Sequence, residues 1–174
     1  CGVCDYCVQG RNNLCSNRTM VGMTRPGAFA DYMSIPAASL VAMPQDLSAR
    51  AAALTEPAAT AWHAVLLVMR STVRPIPECN ILVIGAGAIG MLTALLLRHL
   101  GARSVTVTDL NASRRQAIEH HAHARALDPA QTALPESSFD IVIDAVGAKV
   151  TRNQAFAAIK PGGVIMHVGL LDWS

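Results

Sequence analysis

The sequence predicts an α/β fold in which helices cover both faces of a parallel β-sheet, with a small cysteine-rich lobe in front of it. From residue 80 onward, short apolar runs alternate with segments of helical pattern. These runs are apolar throughout instead of alternating with polar residues, which is typical of strands buried on both faces of a parallel sheet. Four of the five cysteines lie within the first fifteen residues, and 174 residues suit one domain with a small lobe.

The individual elements are predicted from apolar periodicity and from the glycines and prolines between the runs. A helical region over residues 48–73 is divided by Pro57, and Thr55 is predicted to start its second part because proline is tolerated in a first turn. Pro161-Gly162-Gly163 predicts a turn before the last strand. The predicted strands are residues 80–84, 104–108, 125–127, 139–144 and 164–168, and the helices between them are residues 88–100, 112–121 and 150–159.

The composition argues against nucleic acid and membrane as partners. The formal net charge is +2 and only 15% of the residues are charged, so no basic or acidic surface is indicated. Residues 81–97 carry no charge and have nearly the length of a membrane span. Three glycines within this stretch divide it into a strand, a tight turn and a helix, so a membrane span is not predicted.

The opening stretch CGVCDYCVQGRNNLC has the spacing C-x2-C-x2-C-x7-C, with cysteines at Cys1, Cys4, Cys7 and Cys15. Disulfides are disfavoured because five cysteines is an odd number and the apolar remainder can build its own core. A ferredoxin-type cluster starts with the same spacing, but its fourth cysteine follows after three residues and precedes a proline. The pattern therefore predicts a closed, structural Zn²⁺ site with four thiolates, and leaves an iron–sulfur cluster or reduced thiols as alternatives.

Two histidines lie within predicted apolar elements. His63 follows Glu56 on the long helix, and His167 lies inside the last predicted strand. A single histidine in such a position is more often packed in the core than bound to a ligand, so both are predicted to be core residues.

A glycine-rich turn, GAGAIG at residues 85–90, directly follows the first predicted strand. Gly85 permits the tight turn, Gly87 lets the backbone approach a pyrophosphate, and Gly90 lets the helix pack closely on the strand. The helix that begins within the motif supplies amide donors and a dipole for the anion. The motif alone is weak evidence, but its strand, turn and helix context predicts a dinucleotide-binding site.

An acidic residue follows at the end of the second strand. Asp109 lies 19 residues after Gly90, where a carboxylate accepts a hydrogen bond from a ribose 2′-hydroxyl and repels the 2′-phosphate of NADP. The alternative is that Asp109 only caps the next helix. Arg114 and Arg115 lie close enough to favour a phosphate, so NADP stays open as the second choice behind NAD.

The two motifs in this order resemble the zinc-dependent medium-chain dehydrogenases, the family of alcohol, sorbitol and threonine dehydrogenases. The cysteine stretch looks like the family's structural-zinc lobe, and GAFADYMSIPAASLVAMPQDLS looks like the segment that returns from it. The resemblance implies a zinc lobe with the tail of a GroES-like β domain over residues 1–46. It also implies an incomplete Rossmann-type domain over residues 47–174, truncated after the fifth strand.

The resemblance also implies roles for individual residues. TEPAATAWHA places Glu56 where the sorbitol and threonine dehydrogenase branch has a glutamate beside the catalytic zinc; the alternative is a helix-start carboxylate favoured by the dipole. Asp109 and Arg114 are expected to flank the adenosine ribose. The other implied cofactor-binding residues are Gly85, Gly87, Ala88, Ile89 and Gly90 at the turn, Val146 after the fourth strand, and Val168, Gly169 and Leu170 at the nicotinamide end.

The chain begins with a predicted ligand instead of Met, and nothing in it matches the cysteine and Gly-His-Glu segment of the family's catalytic domain. We therefore expect a piece of a longer cytoplasmic enzyme that is inactive by itself. The expected parent activity is hydride transfer between NAD and a secondary alcohol or polyol, in a homodimer or homotetramer. The alternatives are a threonine-type amino-alcohol dehydrogenase and a non-catalytic, zinc-stabilised module that senses dinucleotides.

Overall fold

The computed structural model describes residues 1–170, and the chain divides into two compact units with the boundary between Asp46 and Leu47. The first unit has little regular structure, as the prolines and glycines of its second half predict. It contains a one-turn helix, α1, at Asp5–Val8 and two short 3₁₀ turns at Asn12–Leu14 and Ala37–Ser39. An isolated bridge joins Val21 to Arg25.

The second unit opens with two helices, α2 at Ala49–Ala52 and α3 at Thr55–Ser71. Ser48 caps α2 by accepting a hydrogen bond from the backbone N–H of Ala51. α3 begins at the predicted residue, with Pro57 inside its first turn, where a missing N–H costs nothing. The break between the two helices therefore lies before the proline and not at it.

A five-stranded parallel sheet forms the centre of the second unit, with β1 at Asn80–Ile84, β2 at Ser104–Thr108, β3 at Arg125–Leu127, β4 at Phe139–Asp144 and β5 at Ile159–His167. The strand order in the sheet is β3-β2-β1-β4-β5. The order reverses between β1 and β4, and this is the point where open α/β sheets bind their ligands, at the carboxyl ends of the strands. Four strands have the predicted bounds. The fifth strand, β5, begins five residues before the predicted start at residue 164.

The predicted turn at Pro161-Gly162-Gly163 is wrong, because these residues lie inside β5. Phe139 pairs with Ile159 but Ile141 pairs with Val164, so the extra residues bulge out of the ladder. Gly162 takes a positive φ of 77° within this bulge. Proline is tolerated there because β5 is an edge strand of the described sheet, where one side needs no ladder hydrogen bond.

Three more helices connect the strands: α4 at Ala88–His99, α5 at Ala112–Ala117 and α6 at Lys149–Ala158. The helix predicted over residues 112–121 widens after α5 into a π-helical turn at Ile118–Ala122. The turn ends at His123, which adopts the left-handed conformation with φ 48°. None of the helices in residues 1–170 combines the length and the hydropathy that a bilayer span requires.

Alternate side chains of each central strand enter two separate cores. Ile81 and Val83 pack on one face with the helical residues Val65 and Leu97 of α3 and α4. On the other face, Leu82 packs with Ala155 of α6 and with neighbouring strand residues. Burial on both faces explains why residues 81–84 of β1 and residues 141–143 of β4 are continuous apolar runs. The prediction that His63 is a core residue is wrong, because His63 is exposed on α3. The buried stripe of that helix consists of Ala61, Ala64, Val65 and Val68.

Asp140 fastens the amino-terminal edge of the sheet. Its Oδ2 accepts a hydrogen bond from the backbone N–H of Asn80 at 2.8 Å, which joins β4 to the start of β1. Its Oδ1 lies 3.0 Å from Lys160 Nζ and 3.1 Å from Arg74 Nη1. Burial alone raises the pKa of Asp140, but these hydrogen bonds and charges outweigh it and hold the pKa below its usual 3.8.

Candidate nucleotide site and metal centre

The four cysteines of the first unit come together in one cluster. Cys4 immediately precedes α1, Cys7 lies within it, and Cys15 follows the 3₁₀ turn, so two tight turns present the thiols to a common point. Their Sγ atoms all lie within 4.8 Å of one another, with Cys1 Sγ 3.6 Å from Cys15 Sγ and 4.0 Å from Cys7 Sγ. Sulfurs at the corners of a tetrahedral zinc site are about 3.8 Å apart, given Zn–S bonds of about 2.3 Å.

The chemistry of the cluster also suits a metal. The backbone N–H of Asn17 and the neighbouring hydrogen-bond donors, working against burial, lower the pKa of Cys15 to about 7. Thiolates are the form in which cysteine binds zinc, so a lowered pKa favours the loaded site. The residues therefore fit a structural Zn²⁺, and no other group of three or more possible ligands occurs in the described residues.

The glycine turn connects β1 to α4 at the point where the strand order reverses. Gly85 has a positive φ of 97°, and a Cβ there would lie 2.6 Å from Val146 Cγ2. A Cβ on Gly90 would overlap the carbonyl oxygen of Gly85, so the first turn of α4 packs directly on the backbone of the turn. Both positions require glycine for reasons of conformation and packing.

Gly87 differs from its two neighbours in the motif. It is the N-cap of α4 with φ −69°, and a Cβ built on it meets no atom within 4 Å. The first backbone N–H groups of α4, from Ala88 and Ile89 onward, have no acceptor within the helix. Ala88 is exposed and Ile89 is half-buried. Open space at Gly87, next to amide donors that lack an acceptor within the helix, is an arrangement that can accommodate a phosphate group.

Asp109 links the end of β2 to the glycine turn. Its Oδ2 accepts a hydrogen bond from the backbone N–H of Ala86 at 2.8 Å, and its Oδ1 accepts one from the backbone N–H of Asn111. Arg114 Nη1 lies 3.8 Å from Oδ2, while Arg115 is engaged with Asp128 and with backbone carbonyls. A carboxylate oxygen can accept two hydrogen bonds, and each oxygen of Asp109 accepts one from a backbone N–H, so the side chain can accept further hydrogen bonds.

A cavity of about 610 Å³ opens beside Asp109 at the carboxyl edge of the sheet. Its volume lies in the range typical of small-molecule sites. Four of the residues predicted to bind the cofactor, Gly85, Asp109, Arg114 and Val146, line it. Its further walls come from Pro129 and Ala130 after β3 and from the start of α6, including Ala148, Val150, Thr151 and Gln154.

The turns after β4 and β5 touch each other at the same edge. A Cβ on Gly147 would overlap the backbone of Gly169, and the reverse also holds, so these two chain segments are in direct contact. The predicted residues Val146, Val168 and Gly169 therefore lie together, next to the glycine turn. Leu170, the last described residue, is exposed.

Glu56 stands apart from these residues. It lies in the first turn of α3, where a carboxylate is favoured by the helix dipole, and it is exposed. No cluster of potential ligands among residues 1–170 includes it. A catalytic zinc takes three protein ligands. The described residues therefore do not fit such a site.

Two families match the chain in the order that its motifs predict. The family described as alcohol dehydrogenase GroES-like domain matches residues 1–45, and the family described as zinc-binding dehydrogenase matches residues 88–173. The chain belongs to the zinc-dependent medium-chain dehydrogenases. The expected family, the Rossmann-type fold and the GroES-like remnant are thereby confirmed.

Curated relatives of this chain include L-threonine 3-dehydrogenases. That of Pectobacterium atrosepticum is 34% identical over 187 residues, which cover 99% of this chain and 50% of the relative. That of Legionella pneumophila is 30% identical over 188 residues, which cover 100% of this chain and 54% of the relative. The chain thus spans about half the length of the curated relatives it matches.

Solved structures of a dehydrogenase and of a reductase are also similar to this chain. A zinc-binding dehydrogenase candidate from Sinorhizobium meliloti 1021, bound to NADP, is 29% identical with a TM-score of 0.86 over 100% of this chain and 52% of that one. Acetophenone reductase from Geotrichum candidum, in complex with NAD, is 28% identical with a TM-score of 0.82. The match covers 100% of this chain and 51% of the reductase chain. Similar structures thus carry either nucleotide.

One residue of this edge, Asp144, was not predicted from the sequence. It is the last residue of β4 and is fully buried, and its carboxylate accepts hydrogen bonds from the backbone N–H groups of Val146 and Gly147. The available signal was a charged residue that directly follows the apolar run Ile141-Val142-Ile143, the same pattern that drew attention to Asp109.

Proposed function

We propose that this chain is the nucleotide-binding part of an enzyme that transfers hydride between NAD and a secondary alcohol. The supporting observation is the convergence of the glycine turn, the Asp109 carboxylate and the 610 Å³ cavity at the strand-order reversal. The diphosphate would lie against the amides at the start of α4, in the space in front of Gly87. The adenosine would occupy the cavity beside Asp109.

We propose NAD as the preferred cofactor, with NADP second. Asp109 faces the cavity with a carboxylate that has capacity for a ribose hydroxyl, and its charge opposes a 2′-phosphate. Arg114 is the group that favours NADP, but it lies 3.8 Å from Asp109 and is partly neutralised by it. Similar structures with either nucleotide support neither choice over the other.

The structural zinc would be held by Cys1, Cys4, Cys7 and Cys15. We propose that the whole enzyme holds a second zinc, which would supply Lewis-acid chemistry at the alcohol oxygen. Glu56 is the only residue of this chain that we propose near that metal. The chain's own residues bind and orient the nucleotide, and the sheet edge at Val168 and Gly169 would receive its nicotinamide.

The proposed substrate class is a secondary alcohol, with a polyol as the first candidate and an amino alcohol as the second. Polyols are oxidised by one branch of the family, whereas the curated relatives with 30–34% identity described above are threonine dehydrogenases. These names favour an amino alcohol as the second candidate. A non-catalytic dinucleotide sensor is the third, and it predicts nucleotide binding without turnover in any longer form of the protein.

We also propose a cytoplasmic homodimer or homotetramer for the whole protein. Four reduced thiolates suit a reducing compartment. β5 is an edge strand of the described sheet, and unpaired edges are the places where further strands or subunits add. Light scattering of the whole protein tests the oligomeric state.

The proposed function is tested by titrating the zinc-loaded chain with NADH and with NADPH, following nucleotide fluorescence. We expect NADH to bind more tightly than NADPH. A chain that is folded by circular dichroism but binds neither nucleotide contradicts the proposal. With the whole protein, turnover of L-threonine, of sorbitol or of neither under excess NAD separates the three candidate functions.

A further inference from the structure

Asp144 is an unusual residue for the centre of this sheet. It is fully buried at the end of β4, where its neighbours in the strand are Val142 and Ile143. A buried carboxylate is costly unless hydrogen bonds and charges compensate for the lost water. Its partners therefore show what the residue does in the fold.

Each hydrogen-bonding atom of Asp144 holds a different part of the carboxyl edge. Oδ1 accepts from the backbone N–H groups of Val146 and Gly147, both at 3.0 Å. The backbone carbonyl oxygen accepts from Val168 N–H at 2.9 Å and from Gly169 N–H at 3.0 Å. One residue thus joins the turn after β4 to the turn after β5.

His167 completes the arrangement from the neighbouring strand. It is the register partner of Asp144 in the β4–β5 ladder, and its Nδ1 lies 3.3 Å from Asp144 Oδ2. The imidazole is mostly buried, with 22% of its side chain exposed. The carboxylate is therefore held from both sides, by the turn amides at Oδ1 and by the imidazole at Oδ2.

The clamped turn lies at the strand-order reversal. Val146 contacts Gly85 across this point, since a Cβ on Gly85 would lie 2.6 Å from Val146 Cγ2, and Val146 also lines the cavity. Gly147 contacts Gly169 on the other side. A shift of this turn would therefore change the adenosine cavity and the nicotinamide end together.

We propose that Asp144 is a positioning residue for the dinucleotide: its carboxylate, oriented by His167, fixes the Val146–Gly147 turn against the Gly85 turn and the Val168–Gly169 segment. This inference rests on the proposed function. It assigns no contact between Asp144 and the cofactor, because the carboxylate is fully buried. Its effect passes through the backbone of the turns.

The chain offers a matched control on the same strand. Asp140 lies at the opposite end of β4, and it also accepts a hydrogen bond from a backbone N–H and interacts with cations. It is four residues away, at the amino edge of the sheet, where no nucleotide is expected. A purely structural role for Asp144 predicts that the Asp140→Ala and Asp144→Ala variants behave alike in nucleotide binding.

The test is the affinity of the zinc-loaded chain for NADH and for ADP-ribose, a probe that lacks the nicotinamide, at a temperature where circular dichroism shows each variant folded. We expect Asp144→Ala to weaken the binding of NADH and of ADP-ribose by about tenfold or more, because the loss of a single hydrogen bond to a charged group corresponds to about a tenfold change in affinity. Asp144→Asn keeps the Oδ1 acceptor and should stay within about threefold of wild type. Asp140→Ala should leave the affinities for NADH and for ADP-ribose unchanged.

His167→Leu supplies a second variant if Asp144→Ala fails to fold. This variant leaves the hydrogen bonds to Asp144 Oδ1 in place. It should weaken the binding of NADH more than that of ADP-ribose, because His167 lies next to the Val168–Gly169 segment, where the nicotinamide is proposed to bind. Equal affinities for Asp144→Ala and Asp140→Ala overturn the inference, as does unchanged NADH affinity in His167→Leu. If the wild-type chain binds neither probe, the proposed function itself fails, which is a different result.

Discussion

The Asp109 carboxylate accepts a hydrogen bond from the backbone N–H of Ala86 at 2.8 Å, and so the acidic residue after β2 holds the glycine turn after β1. Asp109 is therefore both a candidate ribose ligand and a support of the glycine turn. Substitutions at this position combine two effects unless the variant preserves the acceptor. The choice of variant decides what an experiment on Asp109 measures.

Asp109→Asn removes the charge and retains an oxygen for the Ala86 N–H. We expect the affinity ratio of NADPH to NADH to rise about tenfold, because the repulsion of the 2′-phosphate is lost and Arg114 is released from its ion pair. Fluorescence titration with both nucleotides measures the ratio. The double variant with Arg114→Ala should lose most of this gain. An unchanged ratio in Asp109→Asn would remove the residue from its proposed ribose role.

Metal analysis of the chain purified under reducing conditions should give about one zinc per molecule, as four thiolates form one closed site. Cys15→Ser should lower this to near zero, since it removes a ligand from the cluster. Cys79→Ser is the matched control, because Cys79 is buried beside Pro75 and Arg74 and lies outside the cluster. Zinc retained in Cys15→Ser, or iron in its place, would contradict the assignment.

Asp140→Asn should lower the free energy of unfolding by about 1–3 kcal/mol at pH 7, the usual range for a buried hydrogen-bonded group that loses its charged partner interactions. The pKa of Asp140 is lower in the folded state, so its stabilisation is present above the usual value of 3.8 and is lost as the pH falls through the folded value.

Urea unfolding of wild type and Asp140→Asn between pH 7 and pH 3 tests this dependence. The difference between the two proteins should shrink toward the acid end, and groups common to both cancel in the comparison. Lys160→Met removes one of the two cations and should show a smaller effect of the same sign. A difference that stays constant with pH would show that the charge of Asp140 does not stabilise the fold.

Local sequence was sufficient for most of the sheet. The carboxyl ends of β1, β2, β3 and β4 are marked by Gly85, Asp109, Asp128 and Asp144, and these boundaries are visible without tertiary information. The start of β5 was not visible, because Pro161-Gly162-Gly163 reads locally as a turn. Its extended pairing depends on Gly163, where a Cβ would lie 2.9 Å from the backbone oxygen of Asp140.

The site shows the same division between local and long-range information. The glycine turn and Asp109 follow a spacing along the chain, so they are predictable. Asp144 and His167 are 23 residues apart and meet only through the register of β4 with β5. The exposure of His63 likewise depends on which side of α3 is buried. The local sequence does not show this, because His63 lies next to the buried residue Ala64.

Alanine substitution should destabilise the fold at Gly90 but not at Gly87. Gly90→Ala places a methyl group on the carbonyl oxygen of Gly85 and should destabilise the fold by about 3 kcal/mol or more, as overpacking against backbone does. Thermal unfolding of the zinc-loaded chain measures this. A Gly90→Ala variant as stable as wild type would contradict the close packing of α4 on the turn.

Gly87→Ala tests the central claim most directly, which is that a dinucleotide's diphosphate lies against the amides at the start of α4. Its φ of −69° suits alanine and the new methyl group meets no atom within 4 Å, so the melting temperature should stay at the wild-type value. The methyl group would project into the space assigned to the diphosphate. We predict that NADH binds at least about tenfold more weakly to Gly87→Ala than to wild type. Undiminished NADH affinity in the folded variant would contradict the account.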